Sequence, residues 1–259
     1  MNTGITTIRK CRPFIKEEAL QRAQALGLPY FVRENMLSEM AEKYGMEGFL
    51  VYGKKLPYYW SGGEEYRFHL GTSVLRVEQM KRGNQDRLCS LLPEGSLTVL
   101  DATFGHGGDS MTMGWYLGEK GHLTALEKST PLYEIGRAAI SDFADPKEKE
   151  LASALRRITL LHEDFREFLR RAEPKSFDVI YFDTMFRAPV KRETNHMEGF
   201  RRAACYDRLN DEIIRMALHI ARKRIIVKER PFSLLFSSGI FSSIHTRKGQ
   251  TTAYGVIDL

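Results

Sequence analysis

The run Val99-Leu100-Asp101-Ala102-Thr103-Phe104-Gly105-His106-Gly107-Gly108-Asp109 decides how the rest of the sequence is interpreted. An apolar stretch with the character of a strand leads into a glycine-rich turn, and a helical pattern begins at Asp109. Glycines let the backbone approach a ligand closely, and Asp109 can cap the helix that it opens. The run therefore predicts a ligand site at the C-terminal end of a strand, with an ordinary capped strand-to-helix turn as the alternative.

Strands and helices alternate after this run, which indicates parallel pairing with helices on both faces of a sheet. A pair of late strands adds an antiparallel element. We predict a Rossmann-like α/β domain over residues 95–259, with a mostly parallel seven-stranded sheet and an antiparallel last strand. The predicted strands are residues 97–102, 123–127, 158–162, 177–183, 224–228, 240–244 and 253–257.

The turn Pro93-Glu94-Gly95 separates this domain from a small N-terminal α+β lobe, residues 1–94. Glycines follow two of the predicted helices, where a helix C-cap favours them. In this lobe we predict strands at residues 5–8 and 29–33, a hairpin of 49–52 with 56–60, and helices at 17–26, 37–43 and 73–92, the last interrupted near Gly83.

Acidic residues follow three consecutive strands of the predicted sheet. Asp101 ends the first strand, Glu127 ends the second, and Asp164 follows the third. Glu127 lies about 20 residues after the glycine turn, where a dinucleotide fold keeps the carboxylate that accepts from ribose hydroxyls. Asp164 is suited to accept from an adenine amino group, and Phe165 to flank the ring. Each also fits a solvated strand end or a helix cap.

The identity of the cofactor follows from the charge and the glycine spacing of this turn. Binding of NAD uses G-x-G-x-x-G to receive a pyrophosphate at a helix N-terminus. Here the third glycine is missing, and Asp109 would face the phosphates with a negative charge. S-adenosylmethionine (SAM) carries a sulfonium cation and no phosphate, so we predict a SAM site that includes Asp101, Gly105, Gly107 and Gly108, in which Asp101 orients the turn or contacts the amino acid part of SAM.

The fourth strand ends in Tyr181-Phe182-Asp183-Thr184-Met185-Phe186. Enzymes of this fold that methylate amino groups often carry Asp/Asn-Pro-Pro-Tyr/Phe here. The polar side chain accepts from the amine, and the aromatic ring stacks on the base. Asp183 and Phe186 occupy the matching ends of that pattern and are our predicted catalytic residues. Both prolines are absent, and core packing is the alternative role for Phe186.

Several of these segments resemble the bacterial 16S ribosomal RNA guanine-N2 methyltransferases of the RsmJ type. Members carry Asp-Ala-Thr-x-Gly-x-Gly-x-Asp, which residues 101–109 match, and Leu-Glu-Arg, similar to residues 126–128. They also carry Tyr-Leu-Asp-Pro-Met-Phe, similar to residues 181–186 with Thr184 in place of proline, and Val-Val-Lys-Arg-Pro, similar to residues 226–231.

The resemblance extends over about residues 70–259 and implies a class I SAM-dependent methyltransferase that acts on guanine N2 of small-subunit ribosomal RNA. The SAM contacts that it implies are Gly108, Asp109, Glu127, Lys128, Asp164, Phe165 and Asp183.

Charge is concentrated after the fourth strand. The 259 residues carry a net charge of +6, and the stretch from 187 to 230 holds twelve basic and six acidic residues. Cations beside the predicted acceptor site would neutralise phosphates, whereas a solvated charged loop is the alternative. The predicted RNA-binding residues are Arg187, Lys191, Arg192, Arg201 and Arg202.

The sequence also bears on where the protein is located and on which kinds of segment and site it lacks. Its three cysteines are widely spaced, which suggests a reducing compartment, and we predict a cytoplasmic protein without a signal peptide, membrane span or metal site. The sequence gives no oligomeric state. Two other functions stay open: methylation of a small molecule or protein, and binding of SAM and RNA without turnover.

Overall fold

The computed structural model describes residues 2–183 and 209–259, and its contacts divide them into two compact units. Unit 1 contains the chain up to His69 together with Ser129–Phe143. Unit 2 contains Leu70–Lys128 and the described residues from 144 onward. Residues 70–94 therefore group by contact with unit 2, whereas the predicted division into domains 1–94 and 95–259 stays a prediction.

Unit 1 is built on a four-stranded sheet in the order β1-β2-β3-β4. Strand β1 pairs in parallel with β2, and β3 is antiparallel to both of its neighbours. Phe49, Val51 and Trp60 form an apolar cluster with Leu37 and Met40 of the second helix. The elements are β1 (Thr3–Thr7), α1 (Pro13–Leu26), α2 (Leu37–Tyr44), β2 (Gly48–Tyr52), β3 (Tyr58–Ser61), β4 (Glu64–Arg67) and α5 (Thr130–Asp142).

Unit 2 is built on a seven-stranded sheet in the order β10-β11-β9-β8-β5-β6-β7, in which β11 is antiparallel to both neighbours. Helices α4 and α6 pack together, as do α7 and α8. The strands are β5 (Thr98–Asp101), β6 (His122–Glu127), β7 (Ile158–His162), β8 (Phe177–Asp183), β9 (Ala221–Glu229), β10 (Ser243–His245) and β11 (Ala253–Asp258). The helices are α3 (Ser73–Lys81), α4 (Gly108–Leu117), α6 (Lys149–Arg156), α7 (Phe165–Arg171) and α8 (Asp211–Ile220).

The strand order creates the place where a ligand binds in folds of this kind. From β5 the chain first adds β6 and β7 on one side, and it then adds β8 and β9 on the other. The C-terminal ends of β5 and β8 are therefore neighbours at the point where the winding reverses, which leaves a crevice above them. Register puts Asp101 beside Tyr181, and Asp183 beside Lys228.

The predicted Rossmann-like sheet with an antiparallel last strand is confirmed. Some predicted elements differ. The predicted interruption near Gly83 is present, since Gly83 adopts a positive φ of 84° that a helix cannot continue, but the α-helix ends at Lys81 and does not resume before residue 92. The predicted strand 29–33 is a single bridge between Tyr30 and Ile5. Among the described residues, no helix combines the length and the apolar character that crossing a membrane requires.

Candidate active site

The glycine turn lies directly beside the end of β6. The backbone N–H of Gly105 donates to Glu127 Oε2 at 2.8 Å, and that of Phe104 donates to the Leu126 carbonyl at 2.9 Å. Gly107 has a φ of 79°, and a Cβ there would lie 2.6 Å from the Phe104 ring. The turn can therefore pack this closely against the Phe104 ring only with glycine at position 107. The hydrogen bond from Gly105 holds the Glu127 carboxylate beside the crevice.

Asp101 is a buried carboxyl at the end of β5 that holds the turn from beneath. Its Oδ1 accepts from the Thr103 N–H at 3.0 Å, and its Oδ2 accepts from the Ser110 hydroxyl at 2.6 Å. Burial raises the pKa of Asp101 to about 7, although both hydrogen bonds oppose that shift. These contacts give Asp101 a part in shaping the turn.

Asp109 lies at the centre of a buried ion cluster. Its Oδ1 accepts from Arg76 Nη1 at 2.5 Å, and its Oδ2 accepts from the Tyr181 hydroxyl at 2.6 Å and from Lys228 Nζ at 2.8 Å. Burial opposes ionisation, but the positive charges of Lys228 and Arg76 outweigh it and hold the pKa of Asp109 far below its usual value. We call Asp109, Arg76, Tyr181, Lys228 and Asp183 the Asp109 cluster.

Lys228 connects the glycine turn to the predicted acceptor residue. Its Nζ donates to Asp183 Oδ2 at 2.7 Å as well as to Asp109. The Asp183 N–H also donates to the Thr103 hydroxyl at 2.6 Å. Burial disfavours the ammonium group, yet the Asp109 and Asp183 carboxylates hold the pKa of Lys228 above its usual range. Asp183 is therefore fixed from two sides, by a cation and by the turn itself.

Asp164 caps helix α7 and pairs with two cationic side chains, Arg166 and Lys128. Its Oδ1 accepts from the Arg166 N–H at 2.9 Å, and its Oδ2 accepts from the Arg166 guanidinium at 2.6 Å and pairs with Lys128 Nζ at 3.0 Å. Burial opposes ionisation, but these bonds hold the pKa of Asp164 well below its usual range. The buried Phe165 ring packs edge-on against Phe182, with ring centroids 5.8 Å apart.

The fold brings together most of the predicted site residues at one edge of the unit 2 sheet. Lys128 and Asp164 contact each other there, as do Gly105 and Glu127. Asp183 joins Asp109 through Lys228. Six predicted residues lie outside the described part of the chain: Phe186, Arg187, Lys191, Arg192, Arg201 and Arg202.

Sequence reasoning missed three members of the Asp109 cluster as site residues. Lys228 gave a signal, because a lysine follows the apolar residues 225–227 within a predicted strand. Tyr181 gave a weaker one, since its hydroxyl needs a partner when the strand is buried. Arg76 gave none, because it precedes Asp109 by 33 residues in a helix with no recognisable motif.

The residues at this edge fit SAM. The glycine turn permits close approach of a ligand to the backbone, and the Glu127 carboxylate, 7% exposed, supplies an acceptor of the kind that ribose hydroxyls need. The Asp109 cluster has two carboxylates and the two cations Arg76 and Lys228, and Asp86, which pairs with Arg76, adds a third carboxylate. The balance is negative, which suits a sulfonium cation better than a pyrophosphate.

Relatives by sequence include proteins named for ribosomal RNA methylation. The Bacillus subtilis protein YpiP is 29% identical over 256 residues, which is 98% of each chain. The ribosomal RNA small subunit methyltransferase J of Cellvibrio japonicus is 31% identical over 61% of this chain and 60% of its own. That of Hydrogenovibrio crunogenus is 30% identical over 55% and 51%, so these matches span little more than half of each methyltransferase J.

The fold is shared with a solved methyltransferase. The SAM-dependent methyltransferase NGO1261 from Neisseria gonorrhoeae superposes with a TM-score of 0.61 over 98% of this chain and 95% of its own, at 17% identity. The family model described as "Putative SAM-dependent methyltransferase" matches residues 67–251, about seven-tenths of the chain. The chain therefore belongs to this family, and the protein is a SAM-dependent methyltransferase.

Proposed function

We propose that the enzyme methylates an exocyclic amino group of a base in ribosomal RNA, with guanine N2 of the small-subunit RNA as the favoured acceptor. The observation that carries this proposal is the setting of Asp183, which accepts from Lys228 at 2.7 Å and whose N–H donates to the glycine turn at 2.6 Å. The names of two relatives, both small subunit methyltransferases J, support the choice of RNA.

On the cofactor side, Glu127 would accept from the ribose hydroxyls of SAM, and the Gly105–Gly108 turn would lie against its amino acid part. Lys128, Asp164 and Phe165 would border the adenine. Asp101 and Asp109 would keep the turn in shape, since their carboxylate oxygens accept from Ser110, Arg76 and Lys228. Bound SAM supplies an electrophilic methyl group on its sulfonium.

On the acceptor side, the Asp183 carboxylate would accept a hydrogen bond from the amine. That bond directs the nitrogen lone pair toward the methyl group, so that transfer depends on position and electrostatics. Lys228 fixes the carboxylate by holding Oδ2. The Phe186 ring would stack on the base, and Arg187, Lys191, Arg192, Arg201 and Arg202 would neutralise phosphates.

The remaining predictions accompany this proposal. Residues 1–94 would form a lobe attached to a catalytic domain of residues 95–259. A cytoplasmic location, suggested by the three widely spaced cysteines, suits an enzyme that modifies ribosomal RNA.

The test is transfer of a radiolabelled methyl group from SAM to four acceptors offered in parallel: unmodified small ribosomal subunits, naked ribosomal RNA, DNA and a protein extract. We expect label in small-subunit RNA, recovered as N2-methylguanosine after digestion. Label only in protein or in small molecules of the extract would favour methylation of a small molecule or protein and overturn the RNA proposal.

A further inference from the structure

A surface beside the acceptor site combines exposed apolar side chains with basic residues. It consists of residues 230–236, which follow β9, and residues 246–252, which precede β11, and we call it the C-terminal ledge. Phe232 is 97% exposed and Leu234 is 88% exposed, more than any other large apolar side chain of the described residues. Neighbouring exposed apolar side chains of this kind mark interaction sites on many proteins.

The ledge lies at the same edge of the sheet as Asp183. Register pairs Asp183 with Lys228 near the end of β9, and Glu229 with Ala253 at the start of β11. Because β10 pairs His245 with Tyr254, the loop that follows β10 also leaves the sheet at this edge. Phe232 follows Lys228 by four positions in the chain, a span of at most about 14 Å. Nucleotides that flank a target base are therefore within reach of the ledge.

The segment that presents Phe232 and Leu234 is held in place from below. Phe236 and Phe241 form an edge-to-face pair, with ring centroids 5.4 Å apart, and both rings pack against Gly255 of β11. A Cβ at residue 255 would lie 2.5 Å from the Phe241 ring. Leu235 and Phe241 pack against the core of unit 2. The segment that presents Phe232 and Leu234 is therefore held in place by the packing of its neighbours against β11 and the core.

The second half of the ledge is fastened by an arginine. Arg87 donates to the hydroxyl and to the carbonyl of Thr252, each at 3.0 Å, and its guanidinium lies 5.2 Å from the centre of the Tyr254 ring. Arg247 and Lys248 are exposed in this loop. From Arg230 to Thr252 the sequence contains three basic residues, three phenylalanines and no acidic residue.

We propose that the C-terminal ledge binds unpaired nucleotides of RNA next to the base that is methylated, an inference that rests on the proposed function. Phe232 offers a flat apolar ring on which any base can stack, and Leu234 extends that surface. Arg230, Arg247 and Lys248 attract phosphates. Stacking platforms joined to a basic track are the usual means by which proteins bind single-stranded nucleic acid.

The test is fluorescence anisotropy with a labelled single-stranded RNA of 16 nucleotides and mixed sequence. Phe232→Ala/Leu234→Ala should weaken binding roughly 5- to 150-fold, the range that loss of base stacking produces. The matched control is Phe14→Ala/Val32→Ala, which removes two exposed apolar side chains elsewhere and should leave affinity unchanged. SAM affinity should be equal in all three proteins.

Salt dependence tests the cationic part of the ledge. Arg247→Ser/Lys248→Ser should make the plot of log affinity against log salt shallower by about 1.4, since each phosphate contact of a single strand contributes about 0.7. Lys54→Ser/Lys55→Ser, also exposed, is the matched control and should keep the wild-type slope.

Several outcomes would overturn the proposal: no RNA binding by the wild type, unchanged affinity and slope in the ledge variants, or a loss confined to self-association or to binding of phosphatidylserine vesicles. Failure of the proposed function is distinguishable. RNA binding that depends on the ledge, without methylation of RNA, would contradict the proposed function and support RNA binding by the ledge. Methylation of RNA with an unaltered KM for RNA in Phe232→Ala/Leu234→Ala would support the proposed function and contradict RNA binding by the ledge.

Discussion

Each of the two units buries one carboxylate among two cations and a tyrosine. In unit 1, Glu134 of α5 accepts from Arg22, Arg137 and the Tyr52 hydroxyl, each at 2.7 Å. In unit 2, Asp109 of α4 accepts from Arg76, Lys228 and the Tyr181 hydroxyl. The two clusters use the same three kinds of donor, and in both cases the cations lower the pKa of the carboxyl against the effect of burial.

The clusters differ in where their contacts lead. The hydrogen bonds of Glu134 join α5 to α1 and β2, and none of them reaches a predicted site residue within the described ranges. Lys228, by contrast, also holds Asp183, at 16% and 10% side-chain exposure respectively. The same arrangement of charges therefore holds packed elements together in unit 1, whereas in unit 2 it also orients Asp183 at the sheet edge.

Lys228→Met should have the largest effect on stability. The apolar side chain leaves Asp109 and Asp183 without the cation that they share, and we expect the free energy of unfolding to fall by about 3–5 kcal/mol. Urea denaturation measures it. Lys223→Met on the same strand is the control, because that exposed lysine should contribute less than about 1 kcal/mol. A loss in Lys228→Met no larger than in the control would refute the buried cluster.

Glu134→Gln should lower stability less and leave catalysis intact. The cations that it strands, Arg22 and Arg137, are 23% and 30% exposed and so remain partly solvated. We expect a loss of about 1–3 kcal/mol by urea denaturation, with an unchanged kcat. A lower kcat in Glu134→Gln, measured at urea concentrations well below its denaturation midpoint, would contradict the functional difference between the two clusters.

Glu127→Ala tests the cofactor side of the site. Removing the carboxylate leaves the Gly105 N–H without its acceptor and deprives SAM of one, and binding should weaken by about 1–3 kcal/mol. Isothermal titration calorimetry with SAM measures this, and Glu119→Ala, at an exposed acid just after α4, provides the comparison. Equal affinities of both variants would remove Glu127 from the cofactor site.

Asp101 gives stability a dependence on pH. Its folded pKa, about 7, lies above its usual value of 3.8, so the folded state binds the proton more tightly. The stabilisation is complete below about pH 4 and is lost as pH rises toward 7, by roughly 1.4 kcal/mol for each unit. Asp101→Asn should flatten this part of the curve of Tm against pH. A variant whose curve parallels that of the wild type would contradict the shift.

The sequence predicted the sheet and the edge at which the site lies, because strand, glycine turn and helix are local patterns. Glu127 and Asp183 were found for the same reason, since each ends a strand. Arg76 was out of reach, because its pairing with Asp109 depends on how α3 packs on α4. Glu134 was equally hidden, since two of its three partners, Arg22 and Tyr52, are 112 and 82 residues away.

The roles of individual acids were harder to predict than their positions. Asp109 at a helix start suggests a cap or a ligand contact; helix α4 has no side-chain cap bond, and the Asp109 side chain accepts from Arg76, Tyr181 and Lys228, while the ligand contact stays a prediction. Asp164 fits both the cap and the ligand contact that the sequence suggests, and the described contacts include the cap. Side-chain partners depend on long-range packing, which a local pattern does not contain.

Single-turnover methyl transfer from SAM to small-subunit RNA, measured in Asp183→Ala and in Glu134→Gln at a temperature where both are folded, tests the central claim most directly. We predict a rate at least about 100-fold below wild type for Asp183→Ala, comparable to loss of one catalytic hydrogen bond, and a wild-type rate for Glu134→Gln. A wild-type rate in Asp183→Ala, or equal losses in both variants, would contradict the assignment of the acceptor site to Asp183.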